Sequence, residues 1–184
     1  RELVSLALIR LATQDPDEAA TEINKLRWKT QLTDEERSWI WGVIGKRAAQ
    51  RLSNDAADYF AKGNAAAMHE DHLAWQVRAA LRLGRWQQVL TAINAMPEPQ
   101  RNDPTWVYWR ARALLKQTQS ETTRIQAQQL FESIASSRGF YEQLALEELG
   151  QPIATPPKPA PLTAEEREAA RLNPGLNRAL YAIN

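Results

Sequence analysis

Trp39, Trp75 and Trp109 recur at intervals of 36 and 34 residues, each inside a segment that reads as the first of two short helices. A period of that length marks helix–turn–helix repeats, in which each pair leaves an apolar face that only the next pair covers. It points to an all-α, right-handed α-superhelix (solenoid) of paired antiparallel helices, tetratricopeptide-like in its unit. A compact helical bundle is the alternative. The expected pairs span residues 2–13 with 16–27, 34–51 with 53–62, 71–83 with 85–95, and 104–117 with 121–136, followed by a helix at 139–149. Within them, Leu8-Ile9-Arg10-Leu11-Ala12 and Ala79-Ala80-Leu81-Arg82-Leu83 end a first helix and lead to a second that closes on Ile23 or Ile93.

The punctuation is helical as well. Asp15-Pro16, Asp103-Pro104 and Asn173-Pro174 each set a capping side chain before a proline at the first helical position, where the missing N–H costs nothing. Thr33-Asp34-Glu35-Glu36 and Thr163-Ala164-Glu165-Glu166 have the spacing of capping boxes. Gly84 and Gly150 fall where left-handed C-terminal caps belong. Residues 151–161 hold five of the ten prolines and read as an extended, polyproline-like linker. The expected organisation is a superhelical domain over 1–150, the Pro-rich linker 151–161, and the truncated start of a linker domain over 162–184. The opening Arg1-Glu2-Leu3-Val4 carries no initiator Met and no signal segment, so the chain reads as a piece of a longer protein.

Composition removes several classes. The 184 residues contain no Cys, which excludes a disulfide scaffold, a thiolate metal site and a cysteine nucleophile. Basic and acidic residues balance to a formal charge of +1, and they balance within each successive stretch of the chain. That leaves no electrostatic footprint for nucleic acid. No uncharged apolar run approaches the ~18 residues of a membrane span. Seven dispersed glycines build neither a P-loop nor a dinucleotide-binding turn.

Few residues remain for chemistry. His69-Glu70-Asp71-His72 is the only histidine cluster, and with no further histidine or thiolate it reads as a solvated polar turn, so no metal site and no cofactor are expected. The paired glutamates 35/36, 147/148 and 165/166 sit in first or last turns, where solvated charge is the ordinary state. The seven tryptophans offer flat faces suited to stacking on sugar rings. Trp39, Trp75 and Trp109 follow the repeat and are expected in the core. Trp41 and Trp106 are the expected exposed, glycan-binding candidates.

One stretch carries a family likeness. Trp106-Val107-Tyr108-Trp109-Arg110-Ala111-Arg112-Ala113-Leu114 is followed by Ala127, Leu130-Phe131-Glu132 and Ile134-Ala135, then Arg138-Gly139-Phe140-Tyr141-Glu142-Gln143-Leu144-Ala145, ending at Leu149-Gly150. This order resembles the helical superhelix of soluble lytic murein transglycosylases. Arg78-Ala79-Ala80-Leu81, Trp86 and Ile93 to Met96-Pro97 resemble the repeat before it, and Asn173-Pro174-Gly175-Leu176-Asn177-Arg178-Ala179 is similar to the start of the family's linker domain.

The resemblance implies a periplasmic cell-wall enzyme that cleaves the MurNAc–GlcNAc β-1,4 bond of peptidoglycan and leaves 1,6-anhydromuramoyl ends. In that family a glutamate in a Glu-Ser motif, followed by Gly-Leu-Met-Gln, acts as acid and then base. Here Glu132-Ser133 is the one Glu-Ser pair, it lies in a repeat helix, and Gly-Leu-Met-Gln is absent. The catalytic role is therefore not carried to Glu132. The implied partners are glycan strands and the parent protein's own C-terminal catalytic domain, expected beyond residue 184. The 184 residues themselves are expected to be a non-catalytic scaffold, with a tetratricopeptide-like protein-interaction module as the alternative.

Overall fold

The structure is a computed structural model that describes residues 1–118, 120–154 and 158–183. The described residues fall into two compact units, Arg1–Ile153 and Ala154–Asn184. Along the first run α1 (Glu2–Gln14), α2 (Pro16–Ile23), α3 (Leu26–Gln31), α4 (Asp34–Gln50), α5 (Ala56–Ala61), a 3-10 turn at Ala65–Ala67, α6 (Glu70–Arg82), α7 (Trp86–Ala95), α8 (Glu98–Arg101), α9 (Pro104–Gln117), α10 (Glu121–Ile134) and α11 (Phe140–Glu148). The second holds α12 (Ala164–Leu172) and α13 (Pro174–Ile183). No strand occurs among the described residues.

The caps form as their residue types dictate. Asp15 accepts from the N–H groups of Asp17 and Glu18, both at 2.9 Å, directly after α1 ends. Thr33 and Glu36 exchange bonds of 3.1 and 2.7 Å in a capping box, and Thr163 with Glu166 repeats it. Gly84 and Gly150 take φ of +66° and +68°, which lets Arg85 N–H reach back to Ala80 and Gln151 N–H to Leu146. Leu52 occupies the same left-handed position after α4, φ +59°, with Ser53 N–H bonded to Ala48.

Two elements differ from the sequence reading. The segment 16–27 is not one helix: Asn24 turns its amide onto the carbonyl of Ala20, Lys25 goes extended, and α3 starts afresh. The short α8 fills the loop before Asp103. In the Pro-rich segment 151–161, residues 151–154 and 158–161 have no regular secondary structure, and 155–157 lie outside the described residues.

Helix pairs α1/α2, α4/α5, α6/α7 and α9/α10 pack one on the next, and α11 closes on α9 and α10. Alanine recurs among the fully buried residues: Ala12, Ala48, Ala80 and Ala111, one on each pair's first helix, are all 0% exposed. The second helices answer with Ile23, Phe60, Ile93 and Phe131. Gly45 is as tightly placed, since a Cβ there would stand 2.7 Å from the Phe60 ring.

Helix α9 serves two cores. Trp106 and Ala113, seven residues apart and so on one face, join the core of α1 to α7. Tyr108 and Ala111 turn to the other side, where they pack with Ala127, Phe131 and Ala145. In the second unit α12 packs on α13, and Leu172, Leu176, Leu180, Tyr181 and Ile183 remain exposed.

Overpacking a close helix contact costs about 1–3 kcal/mol, so Ala48→Leu is expected to lower the denaturant midpoint by that order. Leu52→Gly relieves a left-handed leucine whose side chain is largely exposed, and an upward shift of about 0.5–1 kcal/mol is expected in the same unfolding measurement.

Candidate functional site

The tryptophans do not sit where their spacing places them. Trp41 and Trp106, expected to be exposed, are buried at 3% and 7%. Tyr59 stacks on Trp41 at 6.1 Å, and Lys62 Nζ lies 4.8 Å from the indole centroid. Arg78 covers Trp106 at 5.4 Å and Trp75 at 5.2 Å. A sugar platform needs an open face, and neither Trp41 nor Trp106 has one. The physical reason is local: Tyr59 and Lys62 close over the Trp41 ring, Arg78 closes over that of Trp106, and both rings belong to the core of the first unit.

Trp39 is the reverse case. It was expected in the core and is 42% exposed. Ser38, Ile40 and Trp41 beside it are buried, so Trp39 lies on the outer edge of the buried face of α4. Its ring meets His69 at 5.7 Å and His72 at 5.2 Å, at interplanar angles of 70° and 74°. Trp75 and Trp109 are half-buried and pack against the core as expected.

Trp39 and Ile40 form one wall of a cavity of about 290 Å³, with Glu35 and Glu36 beside them and Ser5 of α1 facing them. Glu36 is committed to the Thr33 cap, and the backbone N–H bond from Thr33 holds its carboxyl below the ordinary range. Glu35 makes no hydrogen bond or ion pair among the described residues. The sequence carried a signal for this pairing that went unread: Glu35 and Trp39 are four residues apart and share one helical face.

The two histidine rings stand edge-on at 6.0 Å but differ in their surroundings. His69 caps α6, its Nδ1 accepting from Asp71 N–H at 3.2 Å. His72 is not a solvated turn residue. It is 7% exposed, its ring lies against Gly42, and its Nδ1 has no partner. Burial pushes its pKa down to about 4, against the opposing pull of Asp71. Asp71 in turn pairs with Lys46, which holds its carboxyl below the usual carboxylate range. No group of three or more His, Asp or Glu converges as metal ligands do among the described residues.

A second polar cluster lies between α9 and α11, in the stretch that carries the family likeness. Arg112 pairs with Glu148, while the Tyr108 hydroxyl lies 3.3 Å from both groups. Burial raises the Tyr108 pKa, which keeps its proton in place. Trp109 Nε1 donates to the Tyr141 hydroxyl at 3.3 Å. An adjoining cleft of about 310 Å³ is walled by Arg124, Gln128, Phe131 and Glu148. Glu132 is exposed on α10 and accepts from Gln128 at 2.8 Å. Together these surfaces offer stacking faces and hydrogen-bonding groups, the chemistry of holding a polar ligand.

Comparison with known proteins places the chain beside one group. Its sequence is 24% identical over 155 residues to the soluble lytic murein transglycosylases of Salmonella typhimurium and of Escherichia coli K12, covering 82% of this chain and 23% of each relative. Its structure superposes on an inactive mutant of the lytic transglycosylase Slt from Pseudomonas aeruginosa with a TM-score of 0.71 and 27% identity. That match covers 98% of this chain and 29% of the other. The chain thus spans about a quarter of the length of its relatives. No protein-family model matches it. No helix among the described residues is long and apolar enough to cross a membrane.

The buried His72 sets a pH dependence. The unfolded chain takes up a proton near pH 6.5, whereas the folded chain resists until about pH 4. Stability is therefore whole above pH 6.5 and falls as pH drops through that window, by roughly 3 kcal/mol at its end. Depressed carboxylates such as Asp71 add their loss only near and below their ordinary pKa. Urea titrations from pH 7 to 5 are expected to show this decline in the native chain and to run flat in His72→Leu.

Proposed function

We propose that this chain, a homologue of the helical segment of soluble lytic murein transglycosylases, is a non-catalytic scaffold that positions peptidoglycan glycan strands. Its helix pairs would continue as a right-handed superhelix. Cleavage of the MurNAc–GlcNAc β-1,4 bond to 1,6-anhydromuramoyl products would belong to a separate catalytic domain of a periplasmic parent protein. The carrying observation is the match in fold over 98% of the chain to an all-helical part of such an enzyme. In support, the prominent side-chain clusters pair aromatic rings with hydrogen-bonding groups, as at Trp39 with His69 and His72 and at Tyr108, Trp109 and Tyr141. The division into a domain over 1–150, a linker over 151–161 and the start of a further domain over 162–184 belongs to the same proposal.

A second reading, a tetratricopeptide-like module that binds a peptide, draws support from a groove of about 380 Å³ between α1, α2 and α3. Leu3, Val4, Leu8, Leu11 and Trp28 form its apolar wall, with Glu18 and Glu22 at its edge.

Incubation of residues 1–184 with purified murein sacculi separates the readings. Retention on sacculi without release of anhydro-muropeptides is expected. Release of anhydro-muropeptides by this chain alone would overturn the scaffold role. Absence of sacculus binding, together with capture of one defined peptide segment, would favour the interaction module.

A further inference from the structure

The cavity beside Trp39 is a place where an exposed indole is held for use. Tryptophan is the most costly side chain to leave in water, and here the residues on either side of it are buried while it is not. Its ring is also fixed. His69 and His72 stand edge-on to it at 5.7 and 5.2 Å, and His72 is locked by burial. The indole therefore presents a preorganised surface to the cavity it walls.

The cavity's polar groups match that surface. Glu36 gives its Oε2 to the cap of α4, while Glu35 is free to accept from a guest. Ser5 of α1, whose hydroxyl donates to the Arg1 carbonyl at 3.4 Å, adds a further acceptor oxygen, and Ile40 adds apolar wall. Such a lining, an indole and an isoleucine bordered by acceptor oxygens, suits a ring that has a flat C–H face and hydroxyl donors at its rim. A pyranose has that shape: its axial C–H groups lie on an indole while equatorial hydroxyls donate to a carboxylate. The volume, about 290 Å³, holds a single sugar unit of a longer strand.

We propose that Trp39, Glu35 and Ser5 form a sugar subsite that takes one N-acetylhexosamine of a β-1,4-linked glycan. The site rests on the reading of this chain as a glycan-positioning scaffold and gives that reading a specific point of contact. Trp39 stacks on the ring, and Glu35 accepts from its hydroxyls. His69 and His72 are positioning residues, acting through the indole.

The probe is N,N′,N″,N‴-tetraacetylchitotetraose, a neutral β-1,4-linked oligosaccharide, titrated into the chain while indole N–H resonances are followed by NMR. The expected result is a saturable shift of one indole resonance that Trp39→Leu removes. Binding is expected to weaken roughly tenfold in Trp39→Leu and about threefold in Glu35→Gln. Thermal midpoints report folding, and Glu35→Gln, an exposed and unbonded position, gives a second reading that does not perturb the core. Unchanged affinity in both variants would overturn the subsite. So would shifts confined to other indoles, or a response to cadaverine, a diamine, with none to the oligosaccharide. Sacculus retention with no shift at Trp39 would remove the subsite and leave the scaffold reading standing. Loss of sacculus retention as well would remove both.

Discussion

Burial of the smallest side chains on the first helices, at Ala12, Ala48, Ala80 and Ala111, is the constraint on which the first unit depends. Each is fully buried, so a larger side chain there would have to displace packed neighbours. The second helices bury Ile23, Phe60, Ile93 and Phe131 in the same two cores. Burying each such side chain contributes about 1.5–3 kcal/mol. Gly45 extends the rule to its limit, with no Cβ where the Phe60 ring comes against the backbone.

The large rings divide according to what covers them. Trp41 lies under Tyr59, Trp106 under Arg78, and Trp39 falls just outside. Helix α9 shows how finely this is divided: Trp106 and Tyr108, two residues apart, enter different cores. A shift of one position around such a helix exchanges burial for exposure.

Much of the fold was legible because caps are local. Asp15, Thr33, Asp103, Thr163, Gly84 and Gly150 act on backbone groups within a few residues, so their chemistry can be read without knowing any neighbour. The succession of short helices was legible too, but the depth of their large rings was not. Tryptophan marks a period visibly, yet whether it faces inward is decided by the partner helix, which sequence does not display. Fully buried alanines such as Ala12, Ala48, Ala80 and Ala111 are lost among many others in a chain of helix formers. His72 was misread for a related reason. Its sequence neighbours Glu70 and Asp71 are polar, but the helix turns its own face onto Gly42. The candidate site was hidden by the same geometry, because Glu35 and Ser5 meet only when α1 lies beside α4.

Energetics give a reason to keep histidine at position 72. A buried polar atom left without a partner costs about 1–3 kcal/mol, and Nδ1 of His72 is such an atom, as is Oε1 of Gln76 one turn further along α6. An aliphatic side chain at 72 would satisfy the core at lower cost and would not surrender stability in mild acid. What it would not supply is a rigid aromatic edge 5.2 Å from the indole of Trp39. The ring that weakens the fold is the one that fixes the exposed tryptophan. That exchange makes sense where the indole, rather than the core, is the part being maintained.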